Sequence, residues 1–202
     1  MPRPFSEEEK KQIRNLLIEA GKDLFCRYGL KKTGISDLAK AASIAQGSFY
    51  LFFGSKEELY FEIMELEEKL IREKFIKWLM NSGKLTRAKF REFLHLTIKV
   101  FEENQLIRRL WMEDELDELL RRLPPELMER HNERDISVME PLIKHWQNEG
   151  TLIEGDAEVI AGVIRSLFLL PLHHKEIGQD SFPAVIDMYI GFIADGLVKE
   201  DS

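Results

Sequence analysis

The residues of this chain best suited to chemistry form a short polar run, Gln46-Gly47-Ser48, followed closely by Tyr50 and Lys56. A glutamine side chain can pair with the N6/N7 edge of adenine, a serine hydroxyl can bind several bases, and a glycine lets the backbone approach a groove. A tyrosine hydroxyl and a lysine ammonium can bind phosphate oxygens. The run therefore indicates recognition of duplex DNA.

Short helices must position this run. Apolar residues recur at helical spacing and strand-like alternation is absent, which predicts an all-α protein. A first helix is expected over 6–28, ending at Gly29, and a second short helix opens at Thr33 and ends at Ser43. A third, over 45–52, follows after a turn of two or three residues. Two short helices joined by such a turn are typical of a helix-turn-helix, whose second helix enters the major groove.

Charge is distributed unevenly along the chain. The 202 residues carry a net charge of -7, yet the first 60 hold ten basic and eight acidic residues, against nineteen and twenty-eight in the remainder. A slightly basic module on an acidic body is expected of a small anion-binding unit joined to a larger domain. Thr33 and the start of the second helix offer backbone N–H groups to a phosphate, and Lys31 and Lys32 add charge nearby.

The rest of the chain is predicted to be helical. Ser55 and Glu58 form a capping box that opens a long helix ending near residues 81–83. Its expected apolar face comprises Leu59, Ile63, Leu66, Leu70 and Trp78. Further helices are expected over 86–103, 106–122, 126–148, 156–176 and 183–199. The last two are apolar nearly all round, which predicts a symmetric partner covering one side of the pair.

One long, spaced pattern is more specific than any short motif. It comprises Tyr28-Gly29, Thr33, Ile35, Asp37-Leu38-Ala39, Ala42, Gly47-Ser48-Phe49-Tyr50, Phe53 and Ser55-Lys56-Glu57-Glu58-Leu59. The pattern resembles the N-terminal domain of the TetR (tetracycline-repressor-like) family over about residues 10–65. The resemblance implies an N-terminal three-helix helix-turn-helix DNA-binding domain over 1–54 and a C-terminal helical domain for ligand binding and dimerisation over 55–202.

The resemblance also implies a function. A homodimer joined through its last two helices binds a palindromic DNA operator, most often as a repressor, and releases it when a small molecule binds; no cofactor or metal is implied. The DNA-binding positions carried over are Thr33, Ser36, Gln46, Gly47, Ser48, Tyr50 and Lys56. Of these, Gln46, Gly47 and Ser48 correspond to base-facing positions, while Thr33, Tyr50 and Lys56 correspond to phosphate contacts.

The chain departs from the family pattern at the turn and around the third helix. This is the recognition helix, the one expected to enter the major groove. Ser43 stands where a glycine is usual, Ala45 where a serine is common, and Leu51-Phe52 where an aromatic-histidine pair is common. Alanine is a poor N-cap, costing about 1 kcal/mol relative to serine, which predicts a looser recognition helix before DNA binds.

A small-molecule effector would bind among the middle helices. The large, mostly apolar side chains expected to line its cavity are His95, Phe101, Trp111, Met112, Trp146, Phe168 and His173. The net negative charge favours a neutral or cationic apolar effector over a strong anion.

Two other functions remain open at this point. The acidic residues over 113–118 could bind magnesium in an all-α enzyme, but the arginines at 108, 109, 121 and 122 favour ordinary surface ion pairs. A regulator that responds to a protein partner fits the sequence equally well. No arrangement of serine, cysteine or histidine suggests a covalent nucleophile, so the chain is not expected to be an enzyme.

The sequence also bears on location. No uninterrupted apolar stretch approaches the roughly 20 residues that cross a bilayer, and the N-terminus lacks the form of a signal peptide. A cytoplasmic protein without a membrane segment is expected, and the single Cys26 agrees with a reducing compartment.

Overall fold

The computed structural model describes residues 5–81, 83–112 and 115–199, without the side chains of 75, 81, 111, 112, 117, 118, 132 and 134–137. The described residues form helices and no strand, which confirms the all-α prediction. In chain order the elements are α1 (Glu7–Lys32), α2 (Ile35–Ala41), a 3-10 helix (Gln46–Leu51), α3 (Lys56–Asn81), α4 (Arg87–Glu103), α5 (Gln105–Met112), α6 (Glu115–Arg122), α7 (Pro125–Asn148), α8 (Ala157–Leu169), a second 3-10 helix (Leu170–His173), α9 (His174–Ile177) and α10 (Phe182–Leu197).

The first helix is fixed at its start and broken near its end. Ser6 caps it: the Ser6 hydroxyl accepts the Glu9 N–H at 3.2 Å, and the Glu9 carboxylate accepts the Ser6 N–H at 2.7 Å. At Gly29 the backbone turns to φ 77°, a conformation that glycine adopts without steric cost, and one more turn runs to Lys32. The expected stop at Gly29 is therefore a break within a longer helix.

The turn and the recognition helix show two of the three sequence departures directly. Ser43 adopts φ 58°, the left-handed conformation that explains why glycine is usual at this position. The third helix, expected over 45–52, is a 3-10 helix over Gln46–Leu51, and its N-cap, Ala45, makes no side-chain hydrogen bond. The missing cap agrees with the sequence, and the looseness that it predicts before DNA binds stays a prediction.

Replacing Ser43 with glycine is expected to stabilise the protein. The substitution removes the steric cost of a left-handed L-residue, about 1–2 kcal/mol, but adds unfolded-state entropy, so a net gain of roughly 0.5–1 kcal/mol is expected. Urea unfolding of Ser43→Gly would measure it. Ser36→Gly, within the regular helix α2, is the matched control and should lose about 0.5 kcal/mol. A loss of stability in Ser43→Gly would contradict the steric account.

Helix α3 joins the N-terminal module to the rest of the molecule. A Cβ placed on Gly21 of α1 would lie 2.7 Å from Ile63 Cδ1 and 3.1 Å from Leu59 Cδ2, so the two helices pack in close contact there. The Ser55 hydroxyl accepts the Glu58 N–H at 3.1 Å, as predicted, but the Glu58 carboxylate reaches back to the Gly54 N–H at 2.9 Å. The core of the N-terminal module thus includes the first turns of α3.

The buried face of α3 differs from the predicted one. Leu59 and Ile63 are buried as expected, whereas Leu66, Leu70 and Trp78 are exposed. The buried residues follow four-residue spacing instead and comprise Leu59, Tyr60, Phe61, Ile63, Met64, Ile71 and Leu79. Periodicity identified an amphipathic helix, but the neighbours α1 and α4 select which of its apolar residues are covered.

The C-terminal helices follow the predicted order with two interruptions. The helix expected over 106–122 is divided between α5 and α6, and residues 113–114 between them lie outside the described part of the chain. The helix expected over 156–176 changes to 3-10 geometry at Leu170–His173, because Pro171 lacks the N–H that a continuing α-helix needs. An isolated antiparallel bridge joins Leu152 to Val198 and ties the start of α8 to the end of α10.

The stretch Ala157–Ile177 is long and apolar enough, by length and composition alone, to cross a membrane. The stretch was not predicted from the sequence, because polar and charged residues interrupt its apolar residues. Core helices of globular domains pass the same test, and α8 packs against α7 and α10. The stretch is therefore weak evidence for a membrane segment.

Candidate nucleic-acid interface and adjoining cavity

The recognition helix presents the predicted polar run to the outside. Gln46 and Gly47 are exposed, and Ser48 is partly exposed. A Cβ built on Gly47 would meet no atom within 4 Å, so the backbone there is open to close approach. Tyr50 is 56% exposed, while its neighbour Phe49 is fully buried and packs edge-on against the Tyr50 ring at 5.7 Å between centroids. The helix therefore fixes Tyr50 by its ring and leaves the hydroxyl in solvent.

Thr33 and Lys56 are used within the protein in this structure. Thr33 is only 2% exposed, and its hydroxyl donates to the Gly29 carbonyl at 2.8 Å. The Lys56 ammonium donates to the carbonyls of Leu30 at 2.6 Å and Thr33 at 3.0 Å, and so satisfies the end of α1. Both residues lie beside the start of α2, where Ser36 is exposed. In this structure their side chains position the module, and the phosphate-binding role expected for them stays a prediction.

A buried carboxylate connects this module to the C-terminal domain. The break at Gly29 frees the N–H of Leu30 from the helix, and Glu115 Oε1 of α6 accepts it at 3.2 Å. The Tyr60 hydroxyl of α3 has two acceptors, Glu115 Oε2 at 3.3 Å and the Leu106 carbonyl at 3.2 Å, and Arg109 Nη1 lies 3.7 Å from Oε1. One side chain thus joins α1, α3, α5 and α6. The contacts of Glu115 with Leu30, Tyr60 and Arg109 form the joint between the two parts of the chain.

Polar groups surround the buried Glu115 carboxylate. Burial raises the pKa of Tyr60 far above its usual value, and the negative charge of Glu115 raises it further, so the hydroxyl remains a donor. Arg109 also donates to the Cys26 carbonyl of α1 at 3.3 Å. On the other side of the joint, Arg122 lies 3.2 Å from Glu57, whose side chain is almost fully buried. The joint is a network of charge-assisted contacts between the two parts of the chain.

The acidic run over 113–118 is therefore not simply a solvated surface. Glu115 is buried and serves the joint, which the sequence analysis did not anticipate. Residues 113 and 114 and the side chains of 117 and 118 lie outside the described part. Among the described residues, no group of three His, Cys, Asp or Glu side chains is arranged to hold a metal ion.

A cavity of about 380 Å³ lies among α3 to α8. Its walls are mostly apolar, and its polar members are Glu68, Arg72, Thr97, His131 and Arg165. Leu116, Leu119 and Leu120 of α6 also line it, within five residues of Glu115. The volume and lining are those of a small-molecule site.

The cavity contains some of the predicted lining residues. Phe101, Trp146 and Phe168 line it, and the rings of Phe101 and Phe168 lie 5.5 Å apart. His95 instead lies on the surface, with Nε2 3.2 Å from the Asp187 carboxylate, and His173 is exposed outside the lining. These two expectations are wrong because both histidines point away from the cavity. The side chains of Trp111 and Met112 lie outside the described residues.

Sequence reasoning missed the polar side of the cavity. His131 of α7 lies between two carboxylates of α3, with Nδ1 3.2 Å from Glu65 and Nε2 3.6 Å from Glu68. Glu65 and Glu68 stand three residues apart, on one face of a helix, and that spacing was the available signal. Arg165 lines the cavity from α8. Nothing in its sequence neighbourhood marks it as different from a surface arginine.

Comparison with known proteins agrees with this architecture. Residues 17–63, from the middle of α1 into α3, match the model of the bacterial regulatory proteins of the tetR family. The HTH-type transcriptional regulator YhgD of Bacillus subtilis (strain 168) is 24% identical over 191 residues, covering 88% of this chain and 94% of that protein. Over residues 17–63, therefore, the chain matches the N-terminal module of the tetR family.

Other relatives match over shorter segments. The probable acrEF/envCD operon repressor of Escherichia coli (strain K12) is 34% identical over 68 residues, which is 34% of this chain and 30% of that repressor. Among solved structures, a TetR-family transcriptional regulator from Pectobacterium atrosepticum superposes with a TM-score of 0.73 at 19% identity, covering 98% of this chain and all of that one. The tetR fold therefore extends over both parts of the molecule.

Proposed function

We propose that this tetR-family transcriptional regulator is a repressor whose homodimer binds a palindromic operator and releases it when a small molecule enters the cavity. In this proposal residues 1–54 bind DNA, and the start of α3 stabilises them by packing on α1. Residues 55–202 bind the effector and form the dimer interface. The observation that carries it is the exposed recognition helix joined to a cavity-bearing domain through Glu115. Family membership supplies the regulatory context.

The DNA-reading surface is proposed to comprise Gln46, Gly47 and Ser48 at the base edges and Tyr50 at a phosphate. All four residues are wholly or partly exposed on one short helix. Ser36 of α2 is exposed and is proposed to lie beside the backbone. Thr33 and Lys56 act indirectly, by holding the end of α1 against the start of α2.

The homodimer is proposed to form through α8 and α10. Their outer sides carry exposed apolar residues: Val159 and Val163 on α8, and Met188 and Phe192 on α10. Built Cβ atoms on Gly162 and Gly196 would meet nothing within 4 Å, so both helices can be approached closely. Such a surface on two adjacent helices is the expected form of a self-complementary interface.

Introducing a charge at Phe192 should dissociate this dimer. Phe192 is 66% exposed in the single chain, so Phe192→Glu leaves the fold intact but buries a carboxylate in the proposed interface. We expect the dimer dissociation constant to rise by more than about 100-fold, measured by light scattering after size exclusion. Leu70→Glu, at an equally exposed leucine on α3, is the matched control. Dimerisation that survives Phe192→Glu unchanged would place the interface elsewhere.

Release of the operator follows from the path between cavity and joint. B-DNA presents equivalent major-groove sites about 34–36 Å apart, so the dimer binds tightly only when its two recognition helices have that separation. Helix α6 contributes Leu116 and Leu119 to the cavity wall and Glu115 to the break in α1. A ligand that favours another position of α6 therefore also favours another position of the N-terminal module, and the DNA-bound population falls.

The proposal is tested by fluorescence anisotropy with duplexes tiled from the region upstream of the gene for this protein. Random duplex serves as competitor, at two salt concentrations. One tile is expected to bind in the presence of competitor, more weakly at higher salt because phosphate contacts release counterions. Equal binding of all tiles and the random duplex, by protein freed of bound small molecules through unfolding and refolding, would contradict the proposed operator recognition.

A further inference from the structure

The cavity opens to the surface between α6 and α8. Leu120 of α6 and Leu169 of α8 both line it, yet they are 40% and 51% exposed. Arg165 stands four residues before Leu169, so the two side chains share one face of α8. Arg165 is partly buried, with its side chain contributing to the cavity wall. This arrangement places a guanidinium at the entrance of an apolar chamber.

Arg165 is also the polar lining residue with no partner inside the described part of the protein. His131 is engaged by Glu65 and Glu68, and the Thr97 hydroxyl donates to the Phe93 carbonyl at 2.8 Å. Arg72 has an interaction within the protein as well. Within the described residues, the side chain of Arg165 makes no hydrogen bond or ion pair. Its charge is therefore available to a ligand.

A guanidinium at an apolar entrance selects ligands by charge. Its planar fork matches a carboxylate, with two parallel hydrogen bonds that are stronger where water is partly excluded. A cationic head group at the same place would meet a like charge, and a neutral one would leave the guanidinium without a counter-charge. The net charge of the whole chain, which favoured a cationic or neutral effector, does not describe this local environment.

We propose that the cavity takes an amphiphilic carboxylate, with its apolar body among the aromatic and aliphatic walls and its carboxylate on Arg165. The inference rests on the proposed function, in which this cavity is the effector site. The effector is then a medium-chain aliphatic acid or another molecule with one carboxylate and an apolar body of similar size. The Phe101 and Phe168 rings and Trp146 form part of the apolar wall that receives the body.

The test is calorimetric titration of the full chain, without DNA, using three probes of equal chain length below their micelle concentrations: decanoate, decan-1-ol and decyltrimethylammonium. Decanoate is expected to bind roughly 10- to 100-fold more tightly than decan-1-ol, because of the charge-assisted pair, and more tightly still than the cation. Arg165→Gln should reduce decanoate binding to the level of decan-1-ol and leave decan-1-ol unchanged. Arg165→Glu should reverse the preference toward the cation.

Arg91→Gln is the matched control for removing an arginine, because Arg91 pairs with Asp195 on the surface and does not line the cavity. It should bind all three probes as the unmodified chain does. Binding of the cation as tightly as decanoate, decanoate binding unaffected by Arg165→Gln, or no binding of any probe would each overturn the proposal. Addition of decanoate to the operator complex should lower anisotropy for the unmodified chain and not for Arg165→Gln.

These outcomes separate the two proposals. Since the titrations contain no DNA, their failure leaves operator recognition standing. Conversely, a chain that binds decanoate through Arg165 but prefers no upstream duplex would retain the cavity assignment and lose the proposed repressor function.

Discussion

Replacing Glu115 with alanine is expected to lower the free energy of unfolding by about 3 kcal/mol, since a buried carboxylate is removed, its arginine partner loses the counter-charge and the Leu30 N–H loses its acceptor. Arg109 and the Tyr60 hydroxyl keep other acceptors, the Cys26 and Leu106 carbonyls, so the Leu30 N–H is the donor left unsatisfied at the joint between the two parts of the chain. Urea unfolding of the full chain at fixed protein concentration gives the change.

Glu154→Ala is the matched control, because the Glu154 side chain is 92% exposed and lies 3.8 Å from Lys199 in a surface pair. It should change stability by less than about 0.5 kcal/mol. Equal effects of the two substitutions would show that the Glu115 contacts contribute no more than an exposed ion pair.

The second large effect is expected in operator affinity when the hydroxyl of Tyr50 is removed. Tyr50→Phe keeps the ring that packs on Phe49 and deletes the hydroxyl proposed to bind a phosphate. A hydrogen bond to a charged group contributes about 1.5 kcal/mol or more, and the dimer loses two of them, so operator affinity should fall by roughly 100-fold. Because phosphates carry no sequence information, affinity for random duplex should fall by a similar factor.

Gln46→Ala, on the same helix, is expected to change the preference for the operator over random duplex, which Tyr50→Phe should leave nearly unchanged. If Gln46 reads a base edge, its removal weakens the operator complex by about 1–3 kcal/mol per half-site and leaves random duplex nearly unaffected. Competition anisotropy with both duplexes distinguishes the two variants, with circular dichroism confirming that each is folded. Uniform weakening in Gln46→Ala would reassign that residue to the DNA backbone.

The helices could be predicted from local sequence because their causes are local. Helical periodicity, the Ser55 cap and Gly29 each act over a few residues, and the structure follows them closely. The buried side of α3 was predicted less well, since Leu66 and Leu70 satisfy the helical pattern but lie outside its contacts with α1 and α4.

The joint and the cavity depend on partners that are distant along the chain. Glu115 is 85 residues from the backbone N–H that it accepts, and that N–H is free only because α1 breaks. His131 is 66 residues from Glu65, and Arg165 is distinguished only by the cavity that it borders. His95 and His173 were chosen by residue type and helix position, which do not determine the direction of a side chain.

The shared packing at the joint bears on how such regulators can diversify. Residues 1–54 do not carry their own complete core: α1 packs on Leu59 and Ile63 of α3, and its broken end depends on Lys56 and Glu115. A DNA-reading module transplanted onto a different sensor domain would have to bring the first turns of α3 with it and find a carboxylate at the position of Glu115. A crossover between relatives that falls before α3 would therefore separate α1 from the residues it packs on. The cavity walls further along the chain take no part in that packing and can vary more freely.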